Sequence, residues 1–271
     1  MLSPRGHVRH ANQDACAALP DLGAFVVCDG IGGAAAGEVA SHLAAEAFLH
    51  ALSQPVPNPS RRISPKAAPS PNPNNDAAHL PANHPHSRLH EAVRAANQAV
   101  FRHSRKSPSL HGMGTTLVAV LLEDATAASP TSTLWLAHVG DSRCYRFRRG
   151  ALHLLTQDHS LVEEQIRAGV LSRVQAGRSP IRNIITRAIG SQPTVEPDIA
   201  AHDAQRGDLY LLASDGLTRE LADAEIAQIL TPKLARTASP AALESACQAL
   251  IDAANAHGGR DNITVLLIAC P

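Results

Sequence analysis

Residues 25–33 read FVVCDGIGG, an apolar run that ends in an aspartate and a glycine-rich turn. The β-branched Val26 and Val27 favour a buried strand, and Asp29 stands where that strand ends. Gly30 lets the backbone turn sharply and leaves its carbonyl accessible. A carboxylate and a carbonyl at a rigid strand end are the oxygen ligands that a hard cation prefers. Because Asp-Gly after a strand is more often only a tight turn, this stretch alone leaves both interpretations open.

Three further aspartates stand at the ends of apolar runs. Asp215 follows the run 209–213, Asp141 follows the run 136–139, and Asp261 precedes the run 263–268. Tight turns alone give no reason for four such aspartates. We therefore expect the four carboxylates to converge on one edge of a sheet, where they could bind a metal ion.

The composition excludes several classes of protein. The 271 residues carry 24 basic and 24 acidic side chains and only 3% aromatic residues, which gives no indication of nucleic-acid binding. The five cysteines include no Cys-x-x-Cys pair, which disfavours a disulfide framework and a structural zinc site. The N-terminus lacks the apolar core of a signal peptide, and no apolar run approaches membrane-spanning length. We expect a cytoplasmic monomer that does not insert into membranes.

One segment, at about residues 53–87, differs sharply in composition from the rest of the chain. It holds nine of the nineteen prolines, among Asn, Ser and Ala residues with almost no large apolar side chains. Such a segment cannot bury enough surface to offset the entropy lost on ordering. We predict a disordered insertion within one domain that spans residues 1–271, because the aspartates on both sides of it are expected to form one site.

The remaining pattern predicts an α+β fold. Apolar residues at helical spacing predict helices over 37–52 and 89–104, and Ser160 and Ser239 are predicted N-caps of later helices. Short strands joined by turns, including a hairpin over 144–155, outnumber the helices, which come in separate blocks. This arrangement favours antiparallel sheets covered by helices over a doubly wound parallel sheet.

Six short motifs follow one another in a recognisable order. They are Arg9-x-x-x-x-Asp14, Asp29-Gly30-x-Gly32-Gly33, Gly112-x-Gly114-Thr115-Thr116, Val139-Gly140-Asp141-Ser142-Arg143, Ser214-Asp215-Gly216 and Asp261-Asn262. In this order they resemble the metal-dependent PPM serine/threonine protein phosphatases (type 2C-like), and the compact bacterial type is the most similar. The resemblance implies one catalytic domain built on a central β-sandwich of two antiparallel sheets flanked by helices, in αββα layers, with the metal centre at one end.

The resemblance also implies the ligands of that centre. Asp29 would bridge two Mn²⁺ or Mg²⁺ ions, and the carbonyl of Gly30 would bind one of them. Asp215 and Asp261 would complete the other. A hydroxide that bridges the metals would attack the phosphorus of phosphoserine or phosphothreonine directly, because the cations offset the repulsion between an anionic ester and an anionic nucleophile.

Three further roles follow from the same resemblance. Asp14 would hold waters that are bound to the metals, and Arg9 would bind the substrate phosphate, since its planar guanidinium matches two phosphate oxygens. Asp141 would be a ligand of a third, weaker metal site that shares Asp215. The substrate would be a phosphorylated protein, and the enzyme would counteract a serine/threonine kinase.

The chain departs from the family pattern at three positions. Ile31 stands where some relatives carry a histidine that is a candidate general acid. Arg219 stands four residues after Asp215, where many relatives carry an aspartate for the third metal, so a cation there has fewer anionic ligands. Gln13 replaces the acidic residue that is common before Asp14.

Two other functions are compatible with parts of the pattern. The first is a catalytically silent module that binds phosphoproteins, although a pure binder does not need the core carboxylates. The second is a calcium-binding β protein, which would carry loops of the form Asp-x-Asp-x-Asp-Gly that this sequence lacks. Ser214, beside Asp215, could serve as a nucleophile, but we interpret it as a structural residue of the turn.

Overall fold

Two antiparallel β-sheets form the centre of the computed structural model, which describes residues 1–55, 80–124, 131–177, 179–234 and 239–270. The strands in these ranges are β1 (Asp14–Leu19), β2 (Ala24–Ile31), β3 (Gly114–Thr115), β4 (Leu117–Glu123), β5 (Ser132–Val139), β6 (Arg143–Arg148), β7 (Ala151–Leu154), β8 (Asp198–Ala204), β9 (Leu209–Ala213) and β10 (Val265–Ala269). The first sheet has the order β1-β2-β4-β5-β8, with β3 paired to β2, and the second has the order β10-β9-β6-β7.

Helices cover the outer face of each sheet. The α-helices of the described residues are α1 (Ala34–Ser53), α2 (Pro85–Ser104), α3 (Leu161–Arg167), α4 (Arg173–Gly177), α5 (Asp215–Thr218), α6 (Asp223–Leu234) and α7 (Pro240–Ala256). Helices α1 and α2 pack on the first sheet, and α6 and α7 pack on the second. The result is the four-layer αββα arrangement, which confirms the predicted fold class.

The position of strand β2 explains why residues 25–28 form a continuous apolar run. Its side chains alternate between two cores, so Val26 and Cys28 pack beneath the helices of the first sheet while Val27 packs between the two sheets. All three are fully buried. A strand that is buried on both faces cannot alternate apolar with polar residues, and this position fixes the strand that carries Asp29.

Several predicted elements are confirmed with small changes of boundary. Helix α1 begins at Ala34, three residues before the predicted start, and strands β6 and β7 form the predicted hairpin. The Ser160 side chain accepts a hydrogen bond from the Glu163 amide at 3.4 Å, and Ser239 accepts one from the Ala242 amide at 3.2 Å. Both serines therefore cap the helices that they were predicted to cap.

Strand β8 and helix α4 have no clear sequence signal. Strand β8 is an edge strand with several exposed positions, and its alanines carry little preference for strand. Pairing with β5 over seven residues holds it in place. Helix α4 has only five residues, too few for a helical pattern of apolar residues to show in the sequence.

Most of the predicted insertion at 53–87 lies outside the described residues. Helix α1 ends at Ser53 before it, and α2 begins at Pro85. The prediction of a disordered insertion inside one domain therefore stays a prediction. None of the helices within the described ranges is both long and apolar enough to cross a membrane.

Candidate metal centre

The predicted aspartates gather at one end of the β-sandwich. The antiparallel register of β1 and β2 places Asp14 directly opposite Asp29. Asp141 follows β5, Asp215 begins helix α5 just after β9, and Asp261 lies in the loop before β10. Burial raises the pKa of Asp29, and the negative charges of these four aspartates raise it further, so the five carboxylates lie within electrostatic reach of one another.

Thr116, which lies between β3 and β4, fixes the backbone of Asp29 with two hydrogen bonds. The Asp29 amide donates to Thr116 Oγ1 at 2.9 Å, and the Asp29 carbonyl accepts from the Thr116 amide at 2.9 Å. Gly30 follows at a point of close contact, where an added Cβ would lie 2.3 Å from the carbonyl oxygen of Gly37. Only glycine fits there, which accounts for the Asp-Gly pair that opens the motif.

Asp14 is held by two hydroxyl groups from the second sheet. Ser214 Oγ and Thr264 Oγ1 each donate to Asp14 Oδ2 at 2.7 Å, and the Thr264 amide donates to Ser214 Oγ at 3.0 Å. The other oxygen, Asp14 Oδ1, is buried and has no hydrogen-bond partner. Ser214 thus uses its hydroxyl to position a carboxylate, which agrees with the structural role predicted for it.

Asp261 joins the centre through an arginine and an asparagine. Arg9 Nη2 lies 2.6 Å from Asp261 Oδ2, and this hydrogen bond raises the pKa of the guanidinium. The amide of Asn262 donates to Asp261 Oδ1 at 2.9 Å, and the Asn262 side chain bonds to the Gln13 amide at 2.8 Å. The loop before β10 is therefore tied to the start of β1, and Arg9 stands at the edge of the centre with about half of its side chain exposed.

Burying these carboxylates close together disfavours their ionised forms. Burial, with repulsion from neighbouring carboxylates, raises the pKa of Asp14 to about 6 and that of Asp215 to about 8. The same causes raise the pKa of Asp29 well above its usual range, and burial raises that of Asp141. A bound cation lowers the free-energy cost of ionising buried acids whose pKa values are raised and whose oxygens have no hydrogen-bond partner. The donor set of hard oxygens therefore fits a divalent metal such as Mn²⁺ or Mg²⁺.

A different group occupies the position predicted for a third metal. Arg219 Nη2 lies 2.5 Å from Asp215 Oδ2 and 3.2 Å from Asp141 Oδ2. A guanidinium already neutralises one oxygen of each carboxylate, and it would repel a divalent ion placed between them. The residues present at this position do not fit a third ion.

A groove of about 280 Å³ opens from the centre toward helices α3 and α4. Asp141, Asp215 and Arg219 line its inner end, and Arg173 and Arg182 are among the residues of its outer part. Acidic side chains also line the groove, and Glu163 pairs with Arg173, so its lining carries both signs of charge.

Comparison with known proteins identifies the family. The family model described as Protein phosphatase 2C matches residues 6–253. The serine/threonine phosphatase stp of Listeria monocytogenes is 34% identical over 267 residues, which cover 97% of this chain and 92% of that relative. The chain belongs to the protein phosphatase 2C family. The predicted family and the predicted phosphatase activity are therefore confirmed.

Solved structures of protein phosphatases have the same fold. The serine/threonine phosphatase PstP/Ppp of Mycobacterium tuberculosis matches with a TM-score of 0.76 and 33% identity, over 98% of this phosphatase and 95% of that chain. The catalytic domain of PstP in complex with two manganese ions matches with a TM-score of 0.74 and 33% identity, over 98% and 94% of the two chains. That relative thus holds two ions of the kind for which the buried oxygens of this phosphatase are suited.

Sequence reasoning located the acidic residues of the phosphatase but missed the groups that position them. Thr116 and Asn262 belong to the motifs that end in Thr115-Thr116 and Asp261-Asn262, so the sequence did mark them as candidates. Thr264 gives no such signal, because it is a polar β-branched residue at the edge of a strand. Its role depends on the pairing of β9 with β10, which brings it beside Ser214, fifty positions earlier in the chain.

A second cluster of potential metal ligands lies beside the centre. His138, His159 and Asp198 place their ligand atoms within 4.8 Å of one another. His159 Nδ1 accepts a hydrogen bond from the Gly140 amide at 3.1 Å, so the neutral ring carries its proton on Nε2, 3.3 Å from Asp198 Oδ2. Because neither ring nitrogen then offers a free lone pair, His159 supports the backbone of Gly140, next to Asp141, rather than binding a metal.

Proposed function

We propose that Asp29, the carbonyl of Gly30, Asp215 and Asp261 hold two Mn²⁺ or Mg²⁺ ions with which this phosphatase hydrolyses phosphoserine and phosphothreonine in proteins. The observation that carries the proposal is the buried cluster of carboxylates, in which Asp215 Oδ1 and Asp14 Oδ1 have no hydrogen-bond partner. Leaving such oxygens unpaired in a protein interior is unfavourable unless a cation binds them.

The residues around the ions prepare the site for an anionic ester. When bound, the two ions supply positive charge and an acidic water for attack on phosphorus. Asp14, positioned by Ser214 and Thr264, has one unpartnered oxygen with which to accept a proton or a water hydrogen bond at the centre. Arg9 can turn from Asp261 to a phosphate group, because its side chain is half exposed and its planar guanidinium donates two parallel hydrogen bonds.

The catalytically silent alternative is disfavoured. The relatives that cover nearly the whole chain are named as phosphatases, and this chain keeps every carboxylate predicted for the metal pair. A module that only bound phosphoproteins would gain nothing from burying these acids, each of which costs free energy on folding.

The proposed function also includes the protein's substrate, its opposing kinase, its location and its oligomeric state. The substrate is a phosphorylated protein, so an ATP-dependent serine/threonine kinase must supply it, and the phosphatase takes part in signalling by reversing that kinase. The cysteines in the described residues are all free, which fits the reducing environment of the cytoplasm. We further propose that the protein acts as a monomer, which size-exclusion chromatography with light scattering can measure.

Hydrolysis of phosphopeptides tests the proposed activity. We expect release of phosphate from phosphothreonine and phosphoserine peptides in the presence of Mn²⁺ or Mg²⁺, and much slower release from a phosphotyrosine peptide. Chelation followed by desalting should abolish the activity, and added Mn²⁺ should restore it. Full activity after exhaustive chelation would rule out the proposed role of the ions.

Replacing Arg9 with alanine tests its role in binding phosphate. Loss of a charge-assisted contact to the substrate should raise KM for a phosphothreonine peptide by about 10- to 100-fold, with a smaller effect on kcat. The Mn²⁺ concentration that gives half-maximal rate should change less than KM, because Arg9 is not a proposed ligand and only pairs with the proposed ligand Asp261. Arg94→Ala, at an ion pair with Glu91 on helix α2, is the matched control. A changed metal requirement with an unchanged KM would contradict this assignment.

A further inference from the structure

Arg219 makes the most unusual contacts of the centre. It immediately follows helix α5, whose first residue is Asp215, so the spacing of four residues brings its side chain over that carboxylate. Asp141 reaches the same guanidinium from the loop after β5. The arginine thus joins two carboxylates that come from different sheets of the sandwich.

Charge and hydrogen bonding both favour this arrangement. Arg219 Nη2 donates a hydrogen bond to Asp141 Oδ2 and forms an ion pair with Asp215 Oδ2, and the positive charge of Arg219 offsets part of the increase in pKa that burial causes in Asp141 and Asp215. The guanidinium keeps its charge at every pH that the protein meets, unlike a metal ion that can dissociate. It is therefore a permanent positive group between Asp141 and Asp215.

We propose that the guanidinium of Arg219 takes the place of a third metal ion between Asp141 and Asp215, so that this phosphatase binds two divalent ions rather than three. Arg219 then acts as a positioning residue: it holds Asp215 Oδ2 and leaves Asp215 Oδ1 for the metal pair. This inference rests on the two-ion centre of the proposed function.

One carboxylate oxygen beside Arg219 has no hydrogen-bond partner. Asp141 Oδ1 is buried and has no hydrogen-bond partner, so it could bind an ion if the guanidinium moved aside. The number of bound ions is therefore the quantity that distinguishes the two arrangements, and it can be measured without any substrate.

Counting Mn²⁺ ions in a small set of variants tests the proposal. Isothermal titration calorimetry should give two ions for the wild type, and still two for Arg219→Lys, which keeps a positive charge. Arg219→Asp removes that charge and adds an acidic ligand, so it should bind a third ion. Arg94→Gln, which removes a remote arginine from an ion pair, should bind two ions like the wild type. Melting curves of each variant verify that the fold is retained.

The rate of phosphopeptide hydrolysis provides a second readout. The wild-type rate should rise with Mn²⁺ in one phase and then stay constant. For Arg219→Asp, the rate at the concentration that saturates the first two ions should be roughly 10-fold below wild type, the size of effect seen when a group that supports metal ligands is changed. It should recover in a second phase at higher Mn²⁺, as the third ion binds.

The outcomes separate this inference from the proposed function. Three ions in the wild type, or only two in Arg219→Asp, would overturn the role of Arg219 and leave the two-ion centre intact. No bound ions in the wild type would overturn the two-ion centre itself, and the inference with it. Two ions in the wild type and three in Arg219→Asp would support both.

Discussion

Asp29→Asn is expected to lower kcat for a phosphothreonine peptide by roughly 1,000-fold, which corresponds to the several kcal/mol that bound metals contribute to stabilising the charge of the transition state. Asparagine has nearly the same shape, so the hydrogen bonds of the Asp29 backbone to Thr116 can persist. What changes is one negative charge at the centre of the carboxylate cluster, and with it the proposed bridge between the two ions.

The same substitution has an unusual expected effect on stability. Asp29 is buried and is repelled by Asp14, Asp141, Asp215 and Asp261, so the metal-free protein gains from its neutralisation. We therefore expect Asp29→Asn to melt at the same temperature as the metal-free wild type or higher, while the increase that Mn²⁺ causes in the wild type is lost. Differential scanning fluorimetry with and without Mn²⁺ measures both effects.

Asp203→Asn is the matched control for this experiment. Asp203 is mostly exposed and pairs with Arg146 and Arg148, away from the cluster. Its replacement should leave kcat and the Mn²⁺ response close to wild type. Wild-type turnover in Asp29→Asn, or an undiminished stabilisation of that variant by Mn²⁺, would exclude Asp29 as a bridging ligand.

The aspartates of the site could be predicted from the sequence because each stands at the end of an apolar run that forms a strand. Residues 25–28 are apolar throughout because both faces of β2 are covered, and such a run is visible without a structure. The aspartate at its end is then marked by a change from apolar to polar residues. The same reasoning found Asp141, Asp215 and Asp261, and the structure places all of them together at one end of the sandwich.

Other features depend on contacts between distant parts of the chain. Strand β8 is held by pairing with β5 and has few apolar residues of its own. Thr264 becomes part of the site only because β10 pairs with β9. The sequence showed that Arg219 replaces an acidic residue, but only the structure shows that its guanidinium contacts both carboxylates. Local patterns therefore predict which residues carry charge at strand ends, whereas tertiary pairing decides what neutralises them.

Mn²⁺ is expected to stabilise the protein much more at about pH 7.5 than at about pH 5, because protons compete with metal ions for the same carboxylates. In the metal-free protein the pKa of Asp14 is raised to about 6 and that of Asp215 to about 8, against an ordinary value of 3.8 for each. A carboxylate whose pKa is raised by folding binds its proton more tightly in the folded state. The stability contributed by these protons is complete below the ordinary pKa and is lost as the pH rises through 6 and 8.

The metal reverses this loss, since it binds the ionised carboxylates of the folded state. For each ion, at a Mn²⁺ concentration about 100-fold above its dissociation constant, the gain of roughly 2.7 kcal/mol should raise the melting temperature by about 5–10 °C near pH 7.5. Near pH 5 the increase should be small, because Asp215 holds a proton that the ion must displace. Asp215→Asn is the comparison variant, since it removes the carboxylate whose pKa is raised to about 8, and its melting temperature should respond weakly to Mn²⁺ at both pH values. An equal increase at both pH values in the wild type would show that the ions bind groups other than these buried aspartates.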